Sequence, residues 1–318
     1  MRCEALVLLA LSACAYDDPY VNAVAATRDT FPYFLPSVVA ARAPHAIAIA
    51  REELAAQIET SLYANLPASL ERDEPTLRAD VVAAMNLGYL LDGIEDRPLR
   101  VTDAYDRELF GQTWRHVVLE DEFTVGLGLD YLVPAGVTSP RPALVAVHGH
   151  FNEETAILGL PIAPDLAARG YIIARPEFRF TDCGDAERDQ SVALMLDGFN
   201  LLGQRVYETL LVMKFLRSLD AVEPLRVGLW AHSGGSSTTN VLVRVSSWPA
   251  VSVTDYEVDF RSMCGGQVHC ETLPALLPLA KEINNQVTVP LPHLRVSYGY
   301  GVASERAAAL QLFDATLQ

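Results

Sequence analysis

The distribution of apolar and polar positions divides the chain into two parts. Residues 36–66 and 73–92 carry apolar residues at the three-to-four spacing of amphipathic helices. From residue 114 the stretch "WRHVVLEDEFTVGLGLDYLVP" alternates apolar and polar residues, as antiparallel strands with one buried face do. We therefore predict an α-helical N-terminal extension over 36–110, followed by a separate domain over 111–318.

Continuous apolar runs in the second part predict strands that are buried on both faces of a sheet. The predicted strands are 143–150 ("ALVAVHGH"), 171–178, 226–233, 251–260 and 293–300, and the predicted helices are 155–169, 190–219, 234–246 and 303–317. Strands that alternate with helices are typical of a doubly wound, mostly parallel α/β sheet.

The stretch "GLWAHSGGSSTTN" (228–240) carries the candidate chemistry. A predicted strand breaks at Ser233, and a helix of small residues follows. The pattern small-x-Ser-x-small, here Ala231 to Gly235, is that of a nucleophile elbow, whose tight turn leaves no room for large side chains around the serine. The alternative is an ordinary strand–helix junction with a serine cap. We predict that Ser233 is a nucleophile and that the Gly234 N–H is an oxyanion donor.

A second oxyanion donor is expected where the strand 143–150 ends. The chain turns at "VHGHF", so a backbone N–H of His150 or Phe151 can face the serine across the sheet edge. His148, in the same turn, and His232, beside the serine, are expected to be structural residues. The segment between 177 and 200 is expected to form a loop over the site.

In these motifs the chain resembles the α/β-hydrolase group that contains acetyl xylan esterases, cephalosporin-C deacetylases and dienelactone-hydrolase-like enzymes. The resemblance rests on "LVAVHGH", on the helix and elbow with Gly203, Arg205 and Glu208, and on "CGGQVHCETLPALLPLAKEINN". It covers roughly residues 110–305. It implies an α/β-hydrolase fold and a serine hydrolase of carboxylic esters, without a metal or cofactor, and it does not fix the substrate. We expect acylated carbohydrates or small esters as substrates.

The catalytic acid and base do not follow the group's pattern, in which the order is nucleophile, acid, histidine. Glu305 is the carboxylate nearest to the expected acid position, although its alternative role is a residue at a helix N-terminus. Asp255 and Asp259 are fallback acids. Among later histidines, His269 matches a His-Cys pair that is not the base in the group, and His293 begins its strand at the wrong edge of the sheet.

No last strand with a histidine loop is found after the terminal helix, so we expect a C-terminally incomplete hydrolase domain. Two explanations stay open. One is a truncated copy of an active esterase, and the other is a catalytically inactive hydrolase fold with a binding or scaffolding role. A complete triad within these residues is a third.

The N-terminus predicts export. Arg2, the short apolar run 5–11 and the small residues before Cys14 form a secretory signal, and the run is too short to span a bilayer. The residues around Cys14 resemble the bacterial lipobox, which implies a signal peptide over 1–13, a lipidated Cys14 and a tether over 14–35. We expect a membrane anchor through this lipid only, on the periplasmic or cell-surface side.

Charge and cysteine content narrow the partners. The net charge is −16, without the basic stripe that a nucleic-acid partner would require. Because export favours disulfides, the two cysteines of "CGGQVHC" predict a Cys264–Cys270 bond that leaves Cys183 unpaired. A zinc site is not expected, since this pair and His269 fall short of four ligands.

Overall fold

The computed structural model describes residues 72–150, 157–178, 180–181, 183–196, 198–260 and 269–318, together with 49, 52 and 53. The predicted signal peptide, the tether, Cys14 and the first part of the helical extension, up to residue 71 apart from residues 49, 52 and 53, lie outside the described residues. Phe151 and Cys264 also lie outside them.

One mixed sheet organises the described chain. Its strands are β1 Arg100–Leu109, β2 Gln112–Glu120, β3 Leu127–Leu132, β4 Arg141–Val147, β5 Ile172–Glu177, β6 Val222–Ala231, β7 Ser252–Thr254 and β8 His293–Arg295. They lie in the order β1-β2-β3-β5-β4-β6-β7-β8. β1, β2, β3 and β5 pair antiparallel, whereas the pairs from β5 to β8 are parallel. The predicted mostly parallel α/β sheet is confirmed, but the helical prediction over 36–110 is wrong at β1, which pairs with β2 along its length.

The helices are α1 Glu74–Ala84, α2 Gly88–Leu91, α3 Ala163–Ala168, α4 Asp185–Leu196, α5 Leu201–Arg217, α6 Gly234–Val245, α7 Ala280–Ile283 and α8 Ala303–Leu317. The predicted single helix over 190–219 is two helices, because Asn200 is extended (φ −155°, ψ 153°) and its side chain accepts the Gly203 N–H at 2.6 Å, capping α5. The expected loop between 177 and 200 contains α4. No helix in the described ranges is long and apolar enough to cross a membrane.

Two apolar cores cover the two faces of the sheet. In β4, Ala143, Val145 and Val147 belong to one core, and Leu144 and Ala146 to the other. The first core includes residues of α1, α4, α5 and α6, and the second includes residues of α3 and α8. Burial on both faces explains why the parallel strands are continuous apolar runs in the sequence.

The last two strands are shorter than predicted because the chain turns at the sheet edge. After β8, residues Tyr298–Tyr300 form a 3₁₀ turn with Gly299 at φ 72°. The hydroxyl of Tyr300 donates to the carbonyl of Ala231 at 2.7 Å, and the Gly299 N–H donates to Asp255 at 2.7 Å. These bonds draw the segment after β8 against the end of β6, where Ser233 follows.

Candidate active site

Ser233 occupies a sharp bend between β6 and α6. Its backbone has φ 53° and ψ −125°, a positive φ that costs a residue with a side chain of order 1–3 kcal/mol. Ser233 is only partly buried, whereas residues 227–232 before it and the residues of α6 after it are buried. The predicted elbow is confirmed, and the role of Ser233 as a nucleophile stays a prediction.

The elbow lies directly on the end of β4, and this explains its glycines. The His232 N–H donates to the carbonyl of Val147 at 3.1 Å. A Cβ added to Gly235 would lie 1.9 Å from that same oxygen and 2.8 Å from the carbonyl oxygen of His148. Because both contacts are backbone atoms, no side-chain movement can relieve them. Only glycine allows α6 to start at this distance from β4.

A buried carboxylate, Asp255 at the end of β7, holds the elbow from the other side. Its Oδ1 accepts the Ser233 N–H at 2.9 Å and the Ser236 hydroxyl at 3.0 Å. Its Oδ2 accepts the Gly299 N–H, and Nδ1 of His232 lies 2.5 Å from it. His232 is therefore engaged with Asp255, and its structural role stays a prediction. Asp255, a fallback acid in the sequence prediction, is therefore the carboxylate that lies next to the elbow.

Glu305 lies elsewhere, in the first turn of α8. Its Oε2 accepts the Ser297 N–H at 2.6 Å, and this hydrogen bond lowers the pKa of the carboxyl. No described contact joins Glu305 or Asp259 to Ser233. The geometry of Glu305 matches its alternative role at a helix N-terminus.

The candidate histidines make contacts that suit neutral, structural roles. His148 is buried, its Nε2 accepts the Phe178 N–H at 3.4 Å, and burial lowers its pKa to about 3. His293 begins β8 as predicted, with Nδ1 2.7 Å from the Ser252 hydroxyl, and burial together with nearby arginines lowers its pKa to about 4. Among the residues that the structure describes, no side chain forms a hydrogen bond with Oγ of Ser233.

The two predicted oxyanion positions are adjacent. Gly234 is the first residue of α6, where backbone N–H groups have no partner within the helix. The ring of His150 lies against it, since a Cβ on Gly234 would be 2.7 Å from Cε1 and 2.9 Å from Nδ1 of His150. The turn after β4 and the start of α6 therefore meet beside Ser233, and the roles of the Gly234 and His150 N–H groups as oxyanion donors stay predictions.

A buried polar cluster lies behind His150. Nε2 of His150 is 3.0 Å from Oε1 of Glu187 in α4 and 3.3 Å from Sγ of Cys270. Arg205 of α5 donates to that sulfur at 2.8 Å and to Glu187 at 3.3 Å. Burial raises the pKa of Glu187, but His150 and Arg205 outweigh it and hold the pKa far below its usual range. Sequence reasoning missed Glu187, because it lies in a segment that was expected to be a loop.

The cysteine prediction is wrong. Cys270 is free and buried, whereas Cys183 is disulfide-bonded. The sulfur of Cys270 contacts Arg205 and His150 inside the cluster. The partner of Cys183 lies outside the described residues.

Strand order and elbow together define the α/β-hydrolase fold, with Ser233 at the carboxyl edge of the parallel strands. No protein-family model and no curated protein sequence matches the chain. Among solved structures, the chain is similar to a Bacteroides fragilis protein assigned as an acetyl xylan esterase, with a TM-score of 0.54 and 13% identity over 86% of this chain and 79% of that one. It is also similar to an acetyl xylan esterase from Paenibacillus sp. R4, with a TM-score of 0.52 and 13% identity over 82% of this chain and 99% of that one. At this identity the comparisons establish the fold and leave the substrate open.

Proposed function

We propose that this protein is a serine-dependent carboxylic ester hydrolase that acts on acetylated carbohydrates or small esters. The observation that carries the proposal is the backbone of Ser233, at φ 53° and ψ −125° between a buried strand and the N-terminus of α6. Such strain clusters at functional sites. The acetyl xylan esterases of similar fold support the substrate class.

In the proposed reaction, Oγ of Ser233 attacks the acyl carbon and forms a tetrahedral intermediate. Its oxyanion accepts hydrogen bonds from the Gly234 N–H and from the N–H of His150 or Phe151, and the N-terminus of α6 adds a favourable dipole. The alkoxide leaves with the proton of the serine hydroxyl, and water then hydrolyses the acyl-serine. Each oxyanion donor typically contributes about 10²–10³ in turnover.

Asp255 supports this reaction through the backbone. It accepts the Ser233 N–H at 2.9 Å and joins the elbow to the turn after β8 through Gly299. We assign Asp255 as the positioning residue of the elbow, because the described contacts of its carboxylate go to the elbow and to that turn. Its loss is expected to relax the bend rather than to remove a proton-transfer step.

A fluorophosphonate probe and p-nitrophenyl acetate test the proposal on the purified chain. We expect the probe to label Ser233 and acetate to be released, with both signals lost in Ser233→Ala. Ser246→Ala, at the far end of α6, is the matched control and should keep both signals. Equal ester turnover by wild type and Ser233→Ala, together with no labelling, would refute a nucleophilic serine. Acetate release from acetylated xylo-oligosaccharides then tests the substrate class.

A second candidate is a hydrolase fold that binds its ligand without turning it over. One observation favours it: within the described residues no side chain takes a hydrogen bond from Oγ of Ser233, so a proton acceptor is not assigned. A serine that lacks its base keeps only the residual catalysis of the oxyanion hole and binding. Labelling of Ser233 without measurable turnover on acetate esters would support this candidate.

We also propose that the protein is exported and held at a membrane by a lipid on Cys14. The support is the signal pattern of residues 1–14 in the sequence. Metabolic labelling with an alkyne-bearing fatty acid in a bacterial host should mark the wild type and not Cys14→Ala. Labelling of both proteins, or of neither, would refute the lipid anchor.

A further inference from the structure

We propose that His150, Glu187, His269 and Cys270 form a zinc-binding site behind the oxyanion loop. The four side chains come from the end of β4, from α4 and from the segment that follows residue 268. All four are buried, and one potential ligand atom from each lies within 4.8 Å of the other three. Two imidazoles, a thiol and a carboxylate are a donor set that zinc takes in proteins.

The separations of the donor atoms suit a tetrahedral ion. Nε2 of His150 lies 3.0 Å from Oε1 of Glu187 and 3.3 Å from Sγ of Cys270, and Nδ1 of His269 lies 3.9 Å from that sulfur. Zinc bonds of about 2.1 Å to nitrogen or oxygen and about 2.3 Å to sulfur place tetrahedral ligands about 3.4–3.6 Å apart. The observed distances lie on both sides of these values. Nδ1 of His269 accepts the Glu271 N–H at 3.3 Å, and it would exchange this hydrogen bond for the metal.

Neighbouring groups are arranged as the outer contacts of a metal site are. With Nδ1 of His269 facing the sulfur, Nε2 lies 4.0 Å from Oε2 of Glu271, a buried carboxylate that also accepts the Ser237 hydroxyl. Metal-bound histidines commonly direct their second nitrogen to such a carboxylate. Arg205 donates to Sγ of Cys270 at 2.8 Å, a contact that favours the thiolate, but burial outweighs it and raises the pKa of this thiol. Zinc binding would therefore release the thiol proton.

A divalent cation fits the donor set once Cys270 has lost its proton. A bound Zn²⁺ would balance the thiolate and one carboxylate, and the four protein ligands would leave no open position, as in structural zinc sites.

The location gives the ion a structural role beside the elbow. The ring of His150 lies against Gly234 on one side and reaches Glu187 and Cys270 on the other. Zinc would therefore fix the turn after β4 to α4 and to the segment at 269–271. This role does not depend on the proposed ester hydrolysis, so either proposal can fail alone.

Elemental analysis and cobalt substitution of the purified full chain test the site. We expect about one zinc per chain, as for a structural site. We also expect Co²⁺ in its place to show intense visible bands of a tetrahedral ion and a sulfur-to-cobalt charge-transfer band in the near ultraviolet. Trace zinc, together with no charge-transfer band after refolding with Co²⁺, would overturn the proposal.

Variants then assign the ligands. Cys270→Ser should lose the charge-transfer band, and His269→Asn should lose zinc. His293→Asn, a buried histidine of β8 outside the cluster, should keep both signals and serves as the matched control. If Cys270→Ser keeps the charge-transfer band, the thiolate assignment is wrong. If a ligand variant fails to fold, the cobalt spectrum of the wild type decides the question alone.

Discussion

Gly235→Ala is the sharpest test of why the elbow can form. The added Cβ would lie 1.9 Å from the carbonyl oxygen and 2.5 Å from the carbonyl carbon of Val147. An ordinary contact needs about 3.5 Å, so α6 and β4 would have to separate by about 1.6 Å. Overpacking of a core by a movable side chain costs about 1–3 kcal/mol. Both obstructing atoms are backbone atoms of the central sheet and cannot move aside. We therefore expect Gly235→Ala to lower the free energy of unfolding by about 3 kcal/mol or more.

Urea unfolding, followed by tryptophan fluorescence and far-UV circular dichroism, measures this loss. Gly301→Ala is the matched control, because Gly301 has an α-helical backbone (φ −70°, ψ −27°) and nothing lies within 4 Å of the added methyl group. The control should be unchanged or up to about 1 kcal/mol more stable. If Gly235→Ala unfolds within about 1 kcal/mol of the wild type while still labelling at Ser233, the close approach is not needed and the reasoning fails.

Three further substitutions test other parts of the structure by urea unfolding. Asp255→Ala removes the acceptor of the Ser233 N–H and of three further donors, so we expect a loss of at least about 3 kcal/mol and weaker serine labelling; unchanged stability and labelling would contradict this. Asp130→Asn removes the carboxylate charge beside the buried guanidinium of Arg175, which keeps its 3.2 Å contact with Glu177. We expect the free energy of unfolding to fall by about 3 kcal/mol, whereas a loss below about 1 kcal/mol would show that the ion pair is dispensable. His293 has a pKa of about 4 in the fold, below its ordinary value of about 6.5, so the unfolded chain binds more protons between these values and the wild type should lose up to about 3 kcal/mol as the pH falls from 6.5 to 4. His293→Asn should remove this contribution and make the slope shallower, while the contribution of His148 remains. Identical slopes for the two proteins would refute this assignment.

The bulk of the central sheet follows from local pattern. Strands β4, β5 and β6 are continuous apolar runs because both faces of the sheet are covered. α6 and α8 begin within a residue of their predicted starts, at Gly234 and Ala303. The elbow is equally local, since its tight bend imposes small residues within two positions of Ser233. These features can be predicted from the sequence because each depends on residues that are a few positions apart.

Elements that depend on distant partners were not predicted. β1 has little apolar alternation, with most of its residues exposed, and it forms through backbone pairing with β2. The shortened β7 and β8 end where Asp255 and Tyr300 turn the chain toward the elbow. The tertiary structure also selected Asp255 over Glu305 as the carboxylate beside Ser233.

The sequence by itself determined the central parallel strands, the elbow and the serine at its centre, because spacing and small residues encode them directly. Only the tertiary structure brought His150, Glu187, Arg205 and Cys270 together, from segments as far as 120 residues apart. It also decided that Cys270 stays free while Cys183 is bonded. Side chains meet across the sheet edge through long-range packing, and no local pattern records which buried groups will share one site.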